Sequence, residues 1–152
     1  MVSDRVVRIA FVDDDENLLS SHRRNFSRLA PNWLGLYFNN PQTALAEISG
    51  DPDVTAAILD IHMPLMTGLE LAAKLRNLRN DLIIVMLTGY ADLQSALTAV
   101  NEFGVFRFYP KPTALKTVLE GIETEIARKR GESRDTIPAA FLDLFHLGLI
   151  AT

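Results

Sequence analysis

Four places in the chain deliver a charged or hydroxylated side chain directly after an apolar run. Asp13-Asp14-Asp15 follows residues 6–12, Asp60 follows residues 54–59, Thr88 follows residues 82–87, and Lys111 lies just past residues 105–109. Three or more carboxylates around one point repel and raise each other's pKa unless a cation sits among them. Oxygen-only ligands from carboxylates and a backbone carbonyl, with room for water, suit Mg²⁺. Together with the Lys111 ammonium, such an ion would make a positively biased pocket around Asp60. That pocket would accept a phosphoryl group, whose transfer depends on positioning and charge neutralisation. An aspartate can attack phosphorus and hold the group as an acyl phosphate, and Thr88 could then donate its hydroxyl to a phosphoryl oxygen.

These groups meet only if the apolar runs are neighbouring strands. Residues 6–12, 33–38, 54–59, 82–87 and 105–109 are short and β-rich, and several are continuously apolar, as strands buried on both faces are. Between them the period changes. Leu115, Val118, Leu119, Ile122 and Ile126 recur at three and four positions, one stripe of an amphipathic helix. Leu18, Leu19, His22, Phe26 and Leu29 do the same less cleanly, and Leu93, Ala96, Leu97 and Val100 form a third stripe. Asn40-Pro41 suits an N-cap with proline at the first helical position, and Gly50 suits the end of that helix. Thr67-Gly68-Leu69-Glu70 has capping-box spacing, which predicts a helix running to about residue 78. Strand and helix thus alternate five times. The predicted fold is α/β, a doubly wound five-stranded parallel sheet with right-handed crossovers. In such sheets chemistry gathers outside the carboxyl ends of the strands, where the four exits lie. The exit of the second strand, Asn39-Asn40, is turn-like and uninformative.

Composition narrows the function classes. The 152 residues carry a net charge of −4, with 48% hydrophobic and 22% charged residues, as expected of one globular domain. The absence of cysteine excludes disulfides, thiolate zinc sites and a cysteine nucleophile. The longest apolar run, residues 82–87, is far short of the ~18 residues of a membrane span. Charges at Asp4, Arg5 and Arg8 break any secretory core, so a cytoplasmic protein is expected. Without a basic stripe, electrostatically driven nucleic-acid binding is not expected. After residue 130 the pattern changes: 131–135 reads as a hinge and 139–149 as a short apolar helix. The expected division is a domain over 1–130 and a C-terminal tail or linker over 131–152. Whether the tail folds back, covers an oligomer interface or begins a linker stays open.

The ordered set Val12-Asp13-Asp14, Leu59-Asp60-Ile61-His62-Met63-Pro64 with Gly68, Leu87-Thr88-Gly89 and Lys111-Pro112 resembles the receiver domain of two-component response regulators, over about residues 5–130. The resemblance implies a CheY-like, flavodoxin-like (βα)5 fold. It also implies Asp60 as phosphoacceptor, and Mg²⁺ held by Asp13, Asp14, Asp60 and the His62 backbone carbonyl. Lys111 would contact the phosphoryl group, through a peptide to Pro112 that is often cis in the family. Thr88 would be the switch hydroxyl and Phe108 the aromatic that turns inward with it. The implied partners are a sensor histidine kinase or phosphotransfer protein and a downstream protein target. Output would leave through the fourth and fifth helices and the strand between them, with a phosphorylation-dependent homodimer left open. Such a domain catalyses only its own phosphorylation and dephosphorylation. His62 and Tyr90, two after Asp60 and Thr88, stand where the family tunes phosphoryl lifetime, and their bulk predicts slow autodephosphorylation. Pro110, where a small hydroxyl residue is commoner, removes a backbone donor beside the site, and Thr113 replaces a common aromatic.

Blander readings apply to several residues. Asp15 is expected to cap a helix or face solvent, the His62 imidazole to face solvent, and His22 to complete the face of the first helix. Phe106 and Phe108 are expected on different faces of strand five, and Arg128-Lys129-Arg130 as a solvated helix end complementing the dipole. His146 has no evident partner. Two rivals remain. One is a haloacid-dehalogenase-like phosphatase using Asp13 with Asp15, although Asn17 stands where that family has Thr or Val. The other is a receiver-type interaction module that is never phosphorylated.

Overall fold

A computed structural model describes residues 6–89, 101–102 and 104–131. The expected fourth helix (the 93–100 stripe), Tyr90, and the tail with His146 lie outside the described residues. Five strands form one sheet: β1 (Arg8–Val12), β2 (Leu34–Phe38), β3 (Val54–Asp60), β4 (Ile83–Thr88) and β5 (Arg107–Pro110). Their order is β2-β1-β3-β4-β5, and every neighbouring pair is parallel. The helices described are α1 (Glu16–Leu29), α2 (Pro41–Ser49), α3 (Gly68–Leu78) and the C-terminal helix Leu115–Lys129.

The apolar runs are continuous because each face of the sheet has its own core. Alternation along a strand sends Ala10, Val12, Ala57, Leu59, Ile84 and Met86 to one face, against Ile48 of α2 and Leu71 and Leu75 of α3. Ile9, Phe11, Ala56, Ile58, Ile83, Val85 and Leu87 go to the other, against Leu19 and Phe26 of α1 and Val118, Leu119 and Ile122 of the C-terminal helix. Burying each large side chain contributes about 1.5–3 kcal/mol before conformational entropy is charged against it.

The helix starts follow the predicted caps. The Asp15 side chain accepts from the N–H groups of Asn17 (2.9 Å) and Leu18 (3.2 Å), and Asn40 accepts from Gln42 (2.8 Å) and Thr43 (3.1 Å). Thr67 accepts from the Glu70 N–H at 3.1 Å, the main-chain half of a capping box, and Gly50 closes α2.

The strand limits differ from the apolar runs at both ends. Val6 and Val7 precede β1, while Val105 and Phe106 precede β5, although Val105 is buried and the Phe106 N–H donates to the Ile84 carbonyl at 2.8 Å. At the other ends pairing continues into polar residues: Asp60 pairs with Leu87, and Thr88 with Pro110. Proline is tolerated there because β5 is an edge strand. Phe108 packs in the α2/α3 core and Phe106 against the other, a split made possible because Phe106 stands just outside the strand. The basic helix end is exposed at Arg128, Lys129 and Arg130, as expected; there Arg128 pairs with Glu125, and Lys129 Nζ donates to the Asp81 carbonyl at 2.9 Å.

Candidate phosphoacceptor and cation site

The strand order brings the exits together. β1 and β3 are adjacent at the centre of the sheet, so Asp13, one residue past β1, and Asp60, the last residue of β3, emerge side by side. The Asp13 N–H donates to the Phe38 carbonyl at 3.1 Å, fixing its backbone to the neighbouring strand. Its Oδ1 accepts the Asp15 N–H at 2.9 Å, so the turn into α1 also fixes the carboxylate. Asp13 and Asp60 are buried, whereas Asp14 is exposed, and carboxylate oxygens of all three lie within 4.8 Å of one another.

Lys111 completes the cluster from the far edge. Its N–H donates to the Thr88 carbonyl at 2.6 Å, tying the end of β5 to the end of β4. That bond supplies the main-chain donor Pro110 cannot. The Lys111–Pro112 peptide is cis, and the Thr113 hydroxyl donates to the Pro110 carbonyl. The Lys111 ammonium reaches back to Asp60 Oδ1 (2.9 Å) and Asp13 Oδ2 (3.4 Å). Thr88 is buried at the end of β4, and the Phe108 ring is buried in the core. His62 is exposed in the loop after β3, as expected of its imidazole. Asp15 caps α1 and is exposed, both as expected.

The electrostatics follow from this packing. Burial, with the charge of Asp60 adding to it, holds the Asp13 carboxyl above its usual range, although the Asp15 N–H and Lys111 pull it partly back. Burial alone would lower the Lys111 ammonium, but its hydrogen bond to Asp60 and the charges of both aspartates together raise it. Three carboxylates facing one ammonium leave a net negative cluster of oxygen donors. Such a donor set fits a hard divalent cation.

His22, expected to complete the face of the first helix, packs its ring 5.2 Å from Phe11, and burial, with the charge of Lys111 second, lowers its pKa. Sequence reasoning missed two further features, at Leu65 and Arg79. Leu65, in the loop after Asp60, has φ 71° and is 76% exposed. Arg79, at the far end of α3, is buried. Its guanidinium donates to the carbonyls of Ile48 (3.3 Å), Asp51 (2.9 Å) and Val54 (2.8 Å) and pairs with Asp81 (3.0 Å).

Comparison with known proteins identifies the family to which this fold belongs. The pattern of the response regulator receiver domain matches residues 9–123. The response regulator MprA of Mycobacterium leprae is 32% identical over 139 residues, covering 91% of this chain and 59% of that protein. The chain thus spans about three-fifths of the length of the curated relatives it matches. A CheY-like receiver domain protein from Methanospirillum hungatei superposes with a TM-score of 0.76 at 28% identity, covering 84% of this chain and 99% of that one. A response regulator protein from Burkholderia pseudomallei, solved with a phosphorylated aspartic acid, calcium ion and citrate, superposes with a TM-score of 0.70 at 25% identity, covering 83% of this chain and 72% of that one. This chain belongs to the response regulator receiver domains of two-component systems.

Proposed function

We propose that the domain accepts a phosphoryl group on Asp60 and relays its presence to a protein partner. The observation that carries this reading is the convergence of the Lys111 ammonium, 2.9 Å from Asp60, with the Asp13 and Asp14 carboxylates on the same rim. An Asp60 oxygen attacks phosphorus while the bond from phosphorus to the donor's nitrogen or acyl oxygen breaks. The product is an acyl phosphate, and hydrolysis by water later returns the carboxylate and inorganic phosphate. Lys111 leaves its pairing with Asp60 to meet the phosphoryl oxygens, and Thr88 donates its hydroxyl to one of them. Asp13, Asp14, Asp60 and the His62 carbonyl would hold Mg²⁺, which when bound neutralises charge on the transferring group. Thr88 and Phe108 would then shift a pre-existing equilibrium of the surface expected from β5, the helix after it and the expected fourth helix. His62 and Tyr90 would slow the hydrolysis.

The B. pseudomallei relative, with its phosphorylated aspartic acid and calcium ion, supports the same chemistry here. Family membership points to a histidine kinase or phosphotransfer protein as donor and to a protein target downstream. In this reading residues 1–130 are the switch, residues 131–152 are a tail or linker, and the domain works in the cytoplasm, where ATP-fed kinases act. Among the described residues no helix is long and apolar enough to cross a membrane. The domain would modify only itself and turn over no external metabolite.

Incubation with acetyl phosphate and Mg²⁺ followed by intact-mass measurement tests the proposal. The wild type gains one phosphoryl group, while Asp60→Asn and an EDTA-treated sample gain none. Labelling retained in Asp60→Asn would overturn it. So would steady phosphomonoester turnover lost in Asp13→Asn and kept in Asp60→Asn, which is the phosphatase outcome.

A further inference from the structure

The first residue of α3 touches the backbone of Asp60. A Cβ added to Gly68 would lie 2.2 Å from the Asp60 carbonyl oxygen, 2.9 Å from its carbonyl carbon and 2.9 Å from the Ile61 Cα. All three are main-chain atoms of a strand end, so no side-chain rotation relieves the collision. The glycine is not there for conformational freedom: the positive-φ glycines described are Gly104 and Gly131, and Gly68 is not among them. What the position requires is space.

The same contact is also a hydrogen-bonded seat. The Gly68 N–H donates to the Ile61 carbonyl at 2.8 Å, and the Ile61 N–H donates to the Leu87 carbonyl at 3.3 Å. The Asp60–Ile61 segment is therefore held by α3 on one side and by β4 on the other. The Thr67 cap keeps the first turn of α3 formed, and with it the Gly68 N–H in place.

We infer that Gly68 is a positioning residue: its bare Cα lets α3 seat against the Asp60–Ile61 backbone, and that seat sets where the Asp60 carboxylate stands relative to Asp13, Asp14 and Lys111. The inference rests on the phosphoacceptor reading of Asp60. A methyl group at 2.2 Å must push the carbonyl away by about 1 Å to reach ordinary contact, and misplacements of that size cost up to ~100-fold in well-positioned reactions.

The test compares wild type, Gly68→Ala and Gly35→Ala. The atoms nearest a Gly35 Cβ would be the Tyr37 hydroxyl at 2.3 Å and its ring at 2.7 Å, the far end of a side chain, on the edge strand β2, so this variant adds the same carbon away from the site. Two quantities are read for each: Mg²⁺ affinity by titration calorimetry, and the acetyl phosphate labelling rate across a concentration series. Gly68→Ala should lower the maximal rate about 10–100-fold and weaken Mg²⁺ binding, with a far smaller change in half-saturation by acetyl phosphate. Gly35→Ala should leave both unchanged, even at an equal loss of melting temperature. Wild-type Mg²⁺ affinity and rate in folded Gly68→Ala would overturn the inference. If Gly68→Ala does not fold, Thr67→Ala, which loosens the seat without a collision, must slow labelling and weaken Mg²⁺ binding, and unchanged values there are equally fatal. A wild type that takes no phosphoryl group sinks the proposed function, while the cation affinities still decide the role of Gly68.

Discussion

Asp13→Asn should make the protein more stable in metal-free buffer. Asp13 is 3% exposed and has two other carboxylates within 4.8 Å. At an effective dielectric near 20, the repulsion from buried Asp60 costs about 3 kcal/mol, and the Lys111 ammonium at 3.4 Å returns about 5 kcal/mol. Repulsion takes back much of the attraction, and desolvation of the buried carboxylate outweighs what is left. Asparagine keeps the size of the side chain and the Oδ1 that accepts the Asp15 N–H, yet removes the charge. The expected gain is about 1–3 kcal/mol, or about 2–12 °C in melting temperature for a chain of this length. The pH dependence has a definite sign. Because the folded-state pKa of Asp13 is raised by burial and by Asp60, the folded protein holds this proton more tightly than the unfolded chain. The contribution of Asp13 to wild-type stability therefore grows as pH falls through that raised pKa toward the ordinary 3.8, and the advantage of the variant closes over the same window. Adding Mg²⁺ should raise the melting temperature of the wild type more than that of the variant. Thermal melts followed by circular dichroism, in EDTA and in Mg²⁺, read both effects. A variant less stable than wild type in EDTA at neutral pH would refute the picture of a strained acidic cluster.

Three further outcomes are expected. Arg79→Met should cost about 3–5 kcal/mol, because it strips donors from the carbonyls of Ile48, Asp51 and Val54; urea unfolding measures the loss, and the labelling rate of the folded variant should match wild type. Leu65→Asn should stabilise by up to about 1 kcal/mol, since asparagine tolerates φ 71° better than leucine and little buried surface is lost at 76% exposure; a lower melting temperature would contradict it. The His22 imidazole should titrate below 6.5 by NMR, because burial, and then the charge of Lys111, disfavours its protonated form. The contribution of His22 to stability should accordingly fall as pH drops below that value through the folded pKa, and His22→Gln should remove that contribution.

The parts of this molecule that were legible in its sequence are those encoded locally. Asn40, Thr67 and Asp15 announce helix starts because a cap needs only a side chain and the N–H groups two or three residues on. Strand exits were legible because the change from apolar to polar coincides with the rim of the sheet. Strand limits were less so, since apolarity reports burial and not pairing: Val105 is buried outside β5, while Asp60 and Thr88 are polar inside their strands. The chemistry of the site was legible from residue types, but the close approach of Gly68 to Asp60 depends on where α3 lands. Arg79 was illegible for the same reason. The carbonyls it holds lie 25 to 31 residues earlier, so nothing local separates it from a surface cation.

The strand order suggests why a switch can work here without loosening its own site. The carboxylates stand just past β1 and at the end of β3, inner strands paired on both sides and covered on both faces. The hydroxyl and the ammonium stand further out, on β4 and just past β5, a four-residue edge strand paired on one side only. Lys111 is joined to Thr88 through the main chain, so a shift of one strand end draws the other with it. Mobility is cheapest at an edge, where fewer main-chain bonds must be broken to move a residue. A phosphoryl group on Asp60 would therefore find a rigid anchor on its acidic side and a yielding one on its Lys111 side. Displacement would run outward toward β5 and not inward through the core. Amide exchange should reflect this asymmetry even before phosphorylation, with slower exchange at Phe11 and Ile58 than at Arg107 and Tyr109; equal protection across the sheet would leave the outward direction without a physical basis.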